Sequence, residues 1–293
     1  MVAEQLLAKR TWRDYYNEEE LRRGRHNRLK TIIGFPIFVA GYFLLAYIME
    51  LLSPQSGNSG HTAAPPWALV LQGIMAVAAI FAFVLQSSLL PSNAGEDIYH
   101  AQKYLGIWLF LTQHCLTLQV IHLVVSLIAF AGPVPSLVRL TNCISLWIGG
   151  LGCFVTVQYF SLVHNNPEFV ATCVETVSRD PPYNLRIKCF WLHIFALPLA
   201  VLDVTVSRNH EELRGDSSLV VSLLMLFFFT VFYLSIIVAN FSATGHWPYN
   251  FLKELKTLGA WAGFMFVQSA ILCVFCLSLW GLSLLPSSWE VHA

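Results

Sequence analysis

The stretch that decides the fold is Lys103–Ser126, KYLGIWLFLTQHCLTLQVIHLVVS. It is apolar enough for a membrane, yet at about 100° per residue five of its polar side chains fall within an arc of about 80°. The members of this stripe are Thr112, Cys115, Gln119, His122 and Ser126. An unpaired polar group in hydrocarbon costs several kcal/mol, so the stripe has to face other helices or a wet cavity. The stretch therefore predicts one helix inside a bundle of membrane spans.

The composition of the whole chain is that of an integral membrane protein. Its 293 residues are 56% hydrophobic and 12% charged, with a mean hydropathy of +0.60. Soluble domains carry about twice that fraction of charged residues. No basic patch recurs beyond the N-terminal 30 residues, so membrane lipid is an expected partner and nucleic acid is not. We expect an all-α fold, a polytopic transmembrane helical bundle.

Seven apolar stretches approach the roughly 20 residues with which a helix crosses a bilayer. They lie at about 31–52, 67–90, 104–130, 138–163, 188–206, 218–240 and 258–285. Gly149, Gly150 and Gly152 predict close helix packing around the fourth span. We divide the chain into a charged cytosolic tail (1–30), an N-terminal span with its loop (31–66), a main transmembrane domain (67–285) and a short C-terminal tail (286–293).

The distribution of positive charge predicts the orientation of the spans. The tail and alternate connections hold 14 of the 17 Lys and Arg residues, whereas the other side holds Arg139, Arg208 and Arg214. Positively charged connections tend to stay in the cytosol. We therefore expect a multi-pass protein with its N-terminus in the cytosol, in an endomembrane or the plasma membrane.

Two polar residues inside the spans are predicted to lie at similar depth. Thr112 falls about eight residues into the third span and His193 about five into the fifth, roughly 12 Å and 8 Å deep on the same side. A threonine hydroxyl needs a base to become a nucleophile, and a histidine in apolar surroundings favours the neutral form that accepts a proton. Asp203 lies about 15 Å beyond His193, too far to orient that imidazole, and is expected at the far interface. The same residue types also fit a threonine bonded to its own helix and a histidine that joins two helices.

The ten histidines show no spacing that is typical of a metal site. No H-x-x-x-H, H-x-x-H-H or H-E-x-x-H pattern occurs, which disfavours metal-dependent desaturases and hydroxylases. Cys273-x-x-Cys276 lies in an apolar span without further ligands in its flanks. We expect neither a metal nor an organic cofactor.

Three short blocks combine aromatic and polar residues: FLTQHCLTLQ at 110–119, HIFALPL at 193–199 and TGHWPYNFL at 244–252. In order and approximate spacing they resemble the Y/F-L-T-F…L-x-L/I-Q, H-T-x-x-L-P-F and T-G-x-W-x-Y-P-F-L blocks of the androgen-induced gene 1 family. The resemblance extends over about residues 68–285. Members of that family are multipass membrane hydrolases that cleave fatty acid esters of hydroxy fatty acids, with a threonine nucleophile and a histidine partner. The resemblance implies that Thr112 and His193 take these two roles.

Two departures from the family pattern bear on this expectation. The family commonly has an asparagine four residues before the histidine, where this chain has Cys189. The family is usually drawn with six spans, so this chain is expected to add one N-terminal span and a basic tail. We expect the substrate site to include Cys115, Gln119, Cys189 and Trp247.

The resulting hypothesis is an intramembrane hydrolase of lipid esters, in which Thr112 attacks the ester carbonyl and His193 is the base. The alternative is a non-catalytic lipid-binding or regulatory membrane protein, in which the polar stripe only joins helices. A transporter is disfavoured because the chain has neither an internal repeat nor inverted symmetry of broken helices. The deeper members of the stripe, Gln119, His122 and Ser126, are interpreted as interhelical hydrogen-bonding groups or as the polar wall of a substrate cavity.

Overall fold

The structure is a computed structural model that describes residues 18–53, 63–87, 104–132, 134–167, 169–171, 185–287 and 289. The tail up to residue 17, the centre of the 53–66 loop and most of the C-terminal tail lie outside these residues. The longer helices are α1 (Glu18–Leu52), α2 (Pro66–Ser87), α3 (Leu111–Ala131), α4 (Pro135–Gln158), α5 (Leu185–Thr205), α7 (Leu219–Thr244) and α8 (Leu258–Leu282). The shorter pieces are a 3₁₀ turn (Gly106–Leu109), a π-helical turn (Tyr159–Val163), α6 (His210–Asp216) and a second 3₁₀ turn (Asn250–Glu254).

The molecule is an all-α polytopic membrane bundle, as predicted. Among the described residues, six helices are long and apolar enough to cross a membrane, and the bent pair α5–α6 makes a seventh candidate. Most of the large apolar side chains that remain exposed are on α1, α2, α7 and α8; Phe227 of α7 and Phe266 of α8, for example, are 58% and 76% exposed. In a bilayer such side chains face lipid, which accounts for large apolar residues on the outside of the bundle.

Helix α4 is the central element of the bundle. In its most apolar 18-residue segment 89% of the residues are buried, compared with 72% in α3 and 17% in both α1 and α8. It packs against α3, α5, α8 and α1, so it is surrounded by other helices rather than by lipid. The buried faces of α3, α4 and α5 therefore form the interior in which polar side chains can find partners.

Glycines of α4 allow this close packing, as the sequence predicted. A Cβ atom at Gly152 would overlap the Gln119 amide of α3 and would lie 2.9 Å from the Ala196 carbonyl oxygen of α5. A Cβ at Gly149 would lie 2.8 Å from Leu279 of α8. A larger residue at Gly152 would push α5 away, because the close atom belongs to its backbone, whereas at Gly149 the Leu279 side chain would have to move.

Two expectations from the sequence are wrong at the level of single elements. The third span begins at Leu111 rather than near 104, because Gly106 adopts a φ of 61° and Phe110 is extended, which separates the 3₁₀ turn from α3. Arg208 was counted as a loop charge but is 1% exposed. It lies between α5 and α6, which meet at a bend of 96°, and this bend turns its side chain into the bundle.

Candidate active site

Thr112 and His193 lie in direct contact at one end of the bundle. Thr112 Oγ1 is 2.8 Å from His193 Nε2, a distance typical of a strong hydrogen bond. Thr112 is the second residue of α3, and His193 is in the third turn of α5, so the two helices bring the groups together. Thr112 is half-buried and His193 is 9% exposed, which leaves the hydroxyl the more accessible of the two.

The second nitrogen of His193 fixes the tautomer that this contact requires. His193 Nδ1 lies 2.6 Å from the backbone carbonyl oxygen of Cys189, one helical turn earlier. A carbonyl can only accept, so Nδ1 carries the proton and donates it. Nε2 therefore presents its lone pair, and the Thr112 hydroxyl is the donor. This is the protonation pattern of a nucleophile with its general base.

The C-terminal end of α4 and the turn after it hold His193 at two points, the face of its ring and its backbone carbonyl. The Tyr159 ring stacks on the His193 ring with centroids 3.7 Å apart and planes 9° apart. Thr156 Oγ1 donates to the backbone carbonyl of His193 at 2.6 Å. Tyr159 is the first residue of the π-helical turn, and such turns in α-helices are frequent at functional sites.

Two tyrosine hydroxyls hold the start of α3, next to the threonine. Backbone N–H of Leu111 points to the hydroxyls of Tyr233 and Tyr249, at 3.0 Å and 3.2 Å. Tyr233 donates to the Leu109 carbonyl at 3.0 Å, so the 3.0 Å contact between the two hydroxyls uses the Tyr249 proton. Phe110, the N-cap residue, makes no side-chain cap, and the tyrosine pair satisfies a backbone donor that the helix end leaves open. Burial raises the pKa of Tyr249, so this hydroxyl keeps its proton.

The residues predicted to line the substrate site occupy different places. Gln119 donates to the Ala196 carbonyl at 2.9 Å, which joins α3 to α5. Cys115 is fully buried in the hydrophobic core. Cys189 meets His193 through its carbonyl, and Trp247 stacks on Phe241 with ring centroids 4.1 Å apart. Of the four, Cys189 is bonded to a member of the Thr112–His193 pair.

A second polar cluster lies deeper in the bundle, around Arg208. Asp203 was expected at the far interface, but it is 4% exposed and forms a buried ion pair with Arg208, whose Nε lies 3.0 Å from the carboxylate. The same carboxylate lies 3.0 Å from His122 Nε2 and accepts from Ser145 at 2.7 Å. On its other side the His122 ring is 3.2 Å from the Tyr42 hydroxyl of α1.

All five N–H groups of Arg208 have acceptors in this cluster. Nε and one Nη2 proton bind Asp203, the other Nη2 proton binds Ser126 at 2.7 Å, and Nη1 binds Asn142 at 2.7 Å and Thr141 at 3.3 Å. Since the guanidinium is satisfied, the His122 imidazole can donate from Nε2 to Asp203 and accept from Tyr42 at Nδ1. His122 and Ser126 are thus interhelical groups, as is Gln119, in agreement with one of the two interpretations of the stripe.

The sequence missed the aromatic residues that support the pair. Tyr159 and Tyr233 occur in apolar spans without any pattern that separates them from packing residues. Tyr249 does lie in the TGHWPYNFL block, so the block could have marked it as a candidate site residue. Nothing in the block indicates that its hydroxyl binds the backbone N–H of Leu111. Across the described residues, no group of three or more His, Cys, Asp or Glu side chains is arranged to hold a metal ion.

Comparison with known proteins gives one match. A family model described as FAR-17a/AIG1-like protein matches residues 68–284, more than half of the chain. This range includes Thr112, His193 and both supporting tyrosines, whereas α1 lies before it. Searches of curated proteins and of solved structures give no significant match.

Proposed function

Since the chain belongs to the FAR-17a/AIG1-like family, we propose that it is an intramembrane hydrolase of lipid esters, such as fatty acid esters of hydroxy fatty acids. The observation that carries this proposal is the 2.8 Å contact between Thr112 Oγ1 and His193 Nε2, in the tautomer that makes His193 a base. No metal or organic cofactor is needed for the reaction.

In the first half of the reaction, Thr112 becomes acylated. His193 Nε2 takes the hydroxyl proton while the Thr112 oxygen bonds to the ester carbonyl carbon. The tetrahedral intermediate then collapses, the bond to the leaving oxygen breaks, and the imidazolium returns its proton to that oxygen. The products are a free hydroxy fatty acid and an acyl-threonine.

In the second half, water releases the acid. His193 takes a proton from a water molecule as its oxygen attacks the acyl-threonine carbonyl. Collapse of this second intermediate breaks the bond to Thr112, whose oxygen regains a proton from the imidazolium. Base catalysis of this type contributes about 10²–10⁴ in rate.

The position of Thr112 on α3 favours this chemistry. It is the second residue of a 21-residue helix, where the helix dipole stabilises negative charge. Negative charge develops on the Thr112 oxygen and on the carbonyl oxygen that it attacks. The tyrosine pair keeps this helix end in place without adding a charge to it.

We propose that the Thr112 end of the bundle faces the cytosolic leaflet. Because Arg208 is buried, the charges assigned to the opposite side fall from three to two, Arg139 and Arg214, against 14 in the tail and alternate connections. With the N-terminus in the cytosol, α3 starts at that side. An ester with long acyl chains would reach the site from that leaflet.

The test is ester hydrolysis by purified Thr112→Ala protein. We expect activity toward fatty acid esters of hydroxy fatty acids to fall at least about 100-fold, because the nucleophile is lost. Thr117→Ala is the matched control, since Thr117 lies on the same helix and bonds to its own backbone at Gln113. Full activity of Thr112→Ala at equal expression would contradict the proposal.

The alternative, a non-catalytic lipid-binding membrane protein, predicts a different result with a fluorophosphonate probe. It is favoured by the interhelical bonds of Gln119, His122 and Ser126, which show that most of the stripe joins helices. If the alternative is right, intact wild-type protein remains unlabelled. The hydrolase proposal requires labelling that disappears in both Thr112→Ala and His193→Ala.

A further inference from the structure

The base of the proposed hydrolase has no acidic partner among the described residues. His193 makes three contacts through its ring: Nε2 with Thr112, Nδ1 with the Cys189 carbonyl, and its face with Tyr159. In Ser-His-Asp triads a carboxylate orients the histidine and stabilises the imidazolium that forms during the reaction. Here a neutral carbonyl supplies only the orientation, so the charge has to be stabilised by another group.

The Tyr159 ring has the geometry to stabilise that charge. Its centroid lies 3.7 Å from the imidazole centroid, the planes differ by 9°, and the side chain is 3% exposed. The face of an aromatic ring is negative, and it attracts a cation within about 6 Å, more strongly when both are removed from water. When His193 takes the Thr112 proton, the positive charge forms directly on this face.

Other groups of the chain hold the Tyr159 ring against His193. Its hydroxyl lies 3.1 Å from Nδ1 of His164, the residue that follows the π-helical turn. Phe160 and Phe169 make T-shaped contacts with the ring, at 5.1 Å and 6.2 Å between centroids. The titratable groups beside the ring pair are His164 on the side of Tyr159 and Cys189 one turn before His193. Neither side chain is a carboxylate, so neither replaces the acid of a triad.

We propose that Tyr159 is a positioning residue that stabilises the His193 imidazolium through the face of its ring, in place of a triad carboxylate. The inference rests on the proposed hydrolase function and adds to it the group that makes His193 a stronger base in the transition state. It requires the ring and its electrons, and it does not require the hydroxyl.

Graded fluorination tests this requirement, because fluorine weakens the negative face of a phenyl ring with little change in shape. The series places phenylalanine, then mono-, di- and trifluorophenylalanine, at position 159 of the full-length protein, and measures kcat and KM for a lipid ester. We expect Tyr159→Phe to stay within about threefold of wild type and kcat to fall stepwise with each fluorine. Tyr159→Leu should lose about thirtyfold in kcat with little change in KM.

The same series at Phe160 is the matched control, since that ring meets Tyr159 and not His193. A stepwise fall at 159 together with a flat series at 160 supports the proposal. The proposal is overturned if kcat stays constant across the 159 series, or if Tyr159→Leu keeps the kcat of the wild type. Both results leave Thr112-dependent hydrolysis in place. Wild-type protein without Thr112-dependent hydrolysis overturns the hydrolase function and this inference with it.

Discussion

The His193 imidazole is oriented by the main-chain carbonyl of Cys189, so its orientation does not depend on which side chain stands at position 189. The family commonly has asparagine at the position of Cys189, one turn before the histidine. The bond to Nδ1, 2.6 Å long, uses the Cys189 carbonyl oxygen, which every residue at this position possesses. The tautomer of the base is therefore set by the α5 backbone rather than by the side chain at 189.

Substitution of Cys189 tests this explanation. Cys189→Ser and Cys189→Asn should keep hydrolysis within about threefold of wild type, because the carbonyl bond persists and a single neutral hydrogen bond is worth about 1 kcal/mol. The measurement is kcat/KM for a lipid ester, with His193→Ala as the inactive reference. A loss as large as that of His193→Ala would mean that the thiol itself takes part.

The contact between Thr112 and His193 could be predicted from the sequence, whereas the contacts of the supporting tyrosines could not. The pairing of Thr112 with His193 depends on helix direction and depth, which span positions and residue types encode. This pairing was predicted although the start of α3 was placed too early, because Thr112 and His193 still lie at the same end of the bundle. The Tyr159 stack depends on a π-helical turn, and the Tyr233 bond depends on helix rotation, and neither leaves a periodic signal in the sequence.

At the scale of elements, the start of α3 is supported by α7 and by the segment that follows it. Tyr233 lies in α7 and Tyr249 follows that helix, and their hydroxyls meet the first N–H group of α3. The TGHWPYNFL block is thus linked through the backbone to the helix end that holds Thr112, the proposed nucleophile. This gives a physical reason for the two blocks to occur in one chain.

Removal of either hydroxyl should slow acylation. Tyr249→Phe removes two contacts and Tyr233→Phe removes three, so we expect about fivefold and about tenfold or more, respectively. The double variant should lose less than the product of the two, because both residues belong to one network. The measurement is the rate of fluorophosphonate labelling.

Tyr47→Phe is the control for these variants, because Tyr47 is 54% exposed on α1. It should label at the wild-type rate. Wild-type rates in both Tyr233→Phe and Tyr249→Phe would show that the helix start does not need the pair.

At the scale of the whole molecule, the Arg208 cluster joins the parts of the bundle. Its members come from α1, α3, α4, α5 and the bend after α5, and His122 links Tyr42 of α1 to Asp203 of α5. The sequence predicted the approximate positions of the spans because hydropathy reports length, and its count of seven requires the bent pair α5–α6 to be one span. It placed Arg208 in the connection after α5 but not in the interior, because a count of charges does not show which arginine has enough acceptors to be buried.

The stability of the bundle should depend on keeping this ion pair complete. Asp203→Leu or Arg208→Met alone leaves a buried charge unpaired, with an expected loss of about 3–5 kcal/mol. The double variant should be more stable than either single one. Melting in detergent can be followed with a thiol-reactive dye, since Cys115, Cys143, Cys153 and Cys276 are buried.

Arg139→Met is the matched control, because the Arg139–Glu50 pair is 3.4 Å long and its side chains are 21% and 25% exposed. Because this pair is longer and less buried than the Arg208–Asp203 pair, Arg139→Met should cost less than either single change in the cluster. A double variant less stable than both single variants would contradict the account of the cluster.

Helix α1 is the part of the molecule that the family match does not include. It packs on the 3₁₀ turn before α3: Phe38 stacks on Trp108 with centroids 4.3 Å apart, and Gly34 leaves no room for a Cβ beside the same indole. Together with the contact between Tyr42 and His122, this makes α1 an integral part of the bundle.

The central claim is that Thr112 is the nucleophile, and the most direct test is the position of a covalent adduct. Purified wild-type protein is treated with a fluorophosphonate probe, digested and analysed by mass spectrometry. The account predicts one adduct on Thr112 that is absent in His193→Ala. An adduct on a different residue, or unmodified Thr112 in a preparation that hydrolyses lipid esters, would contradict it.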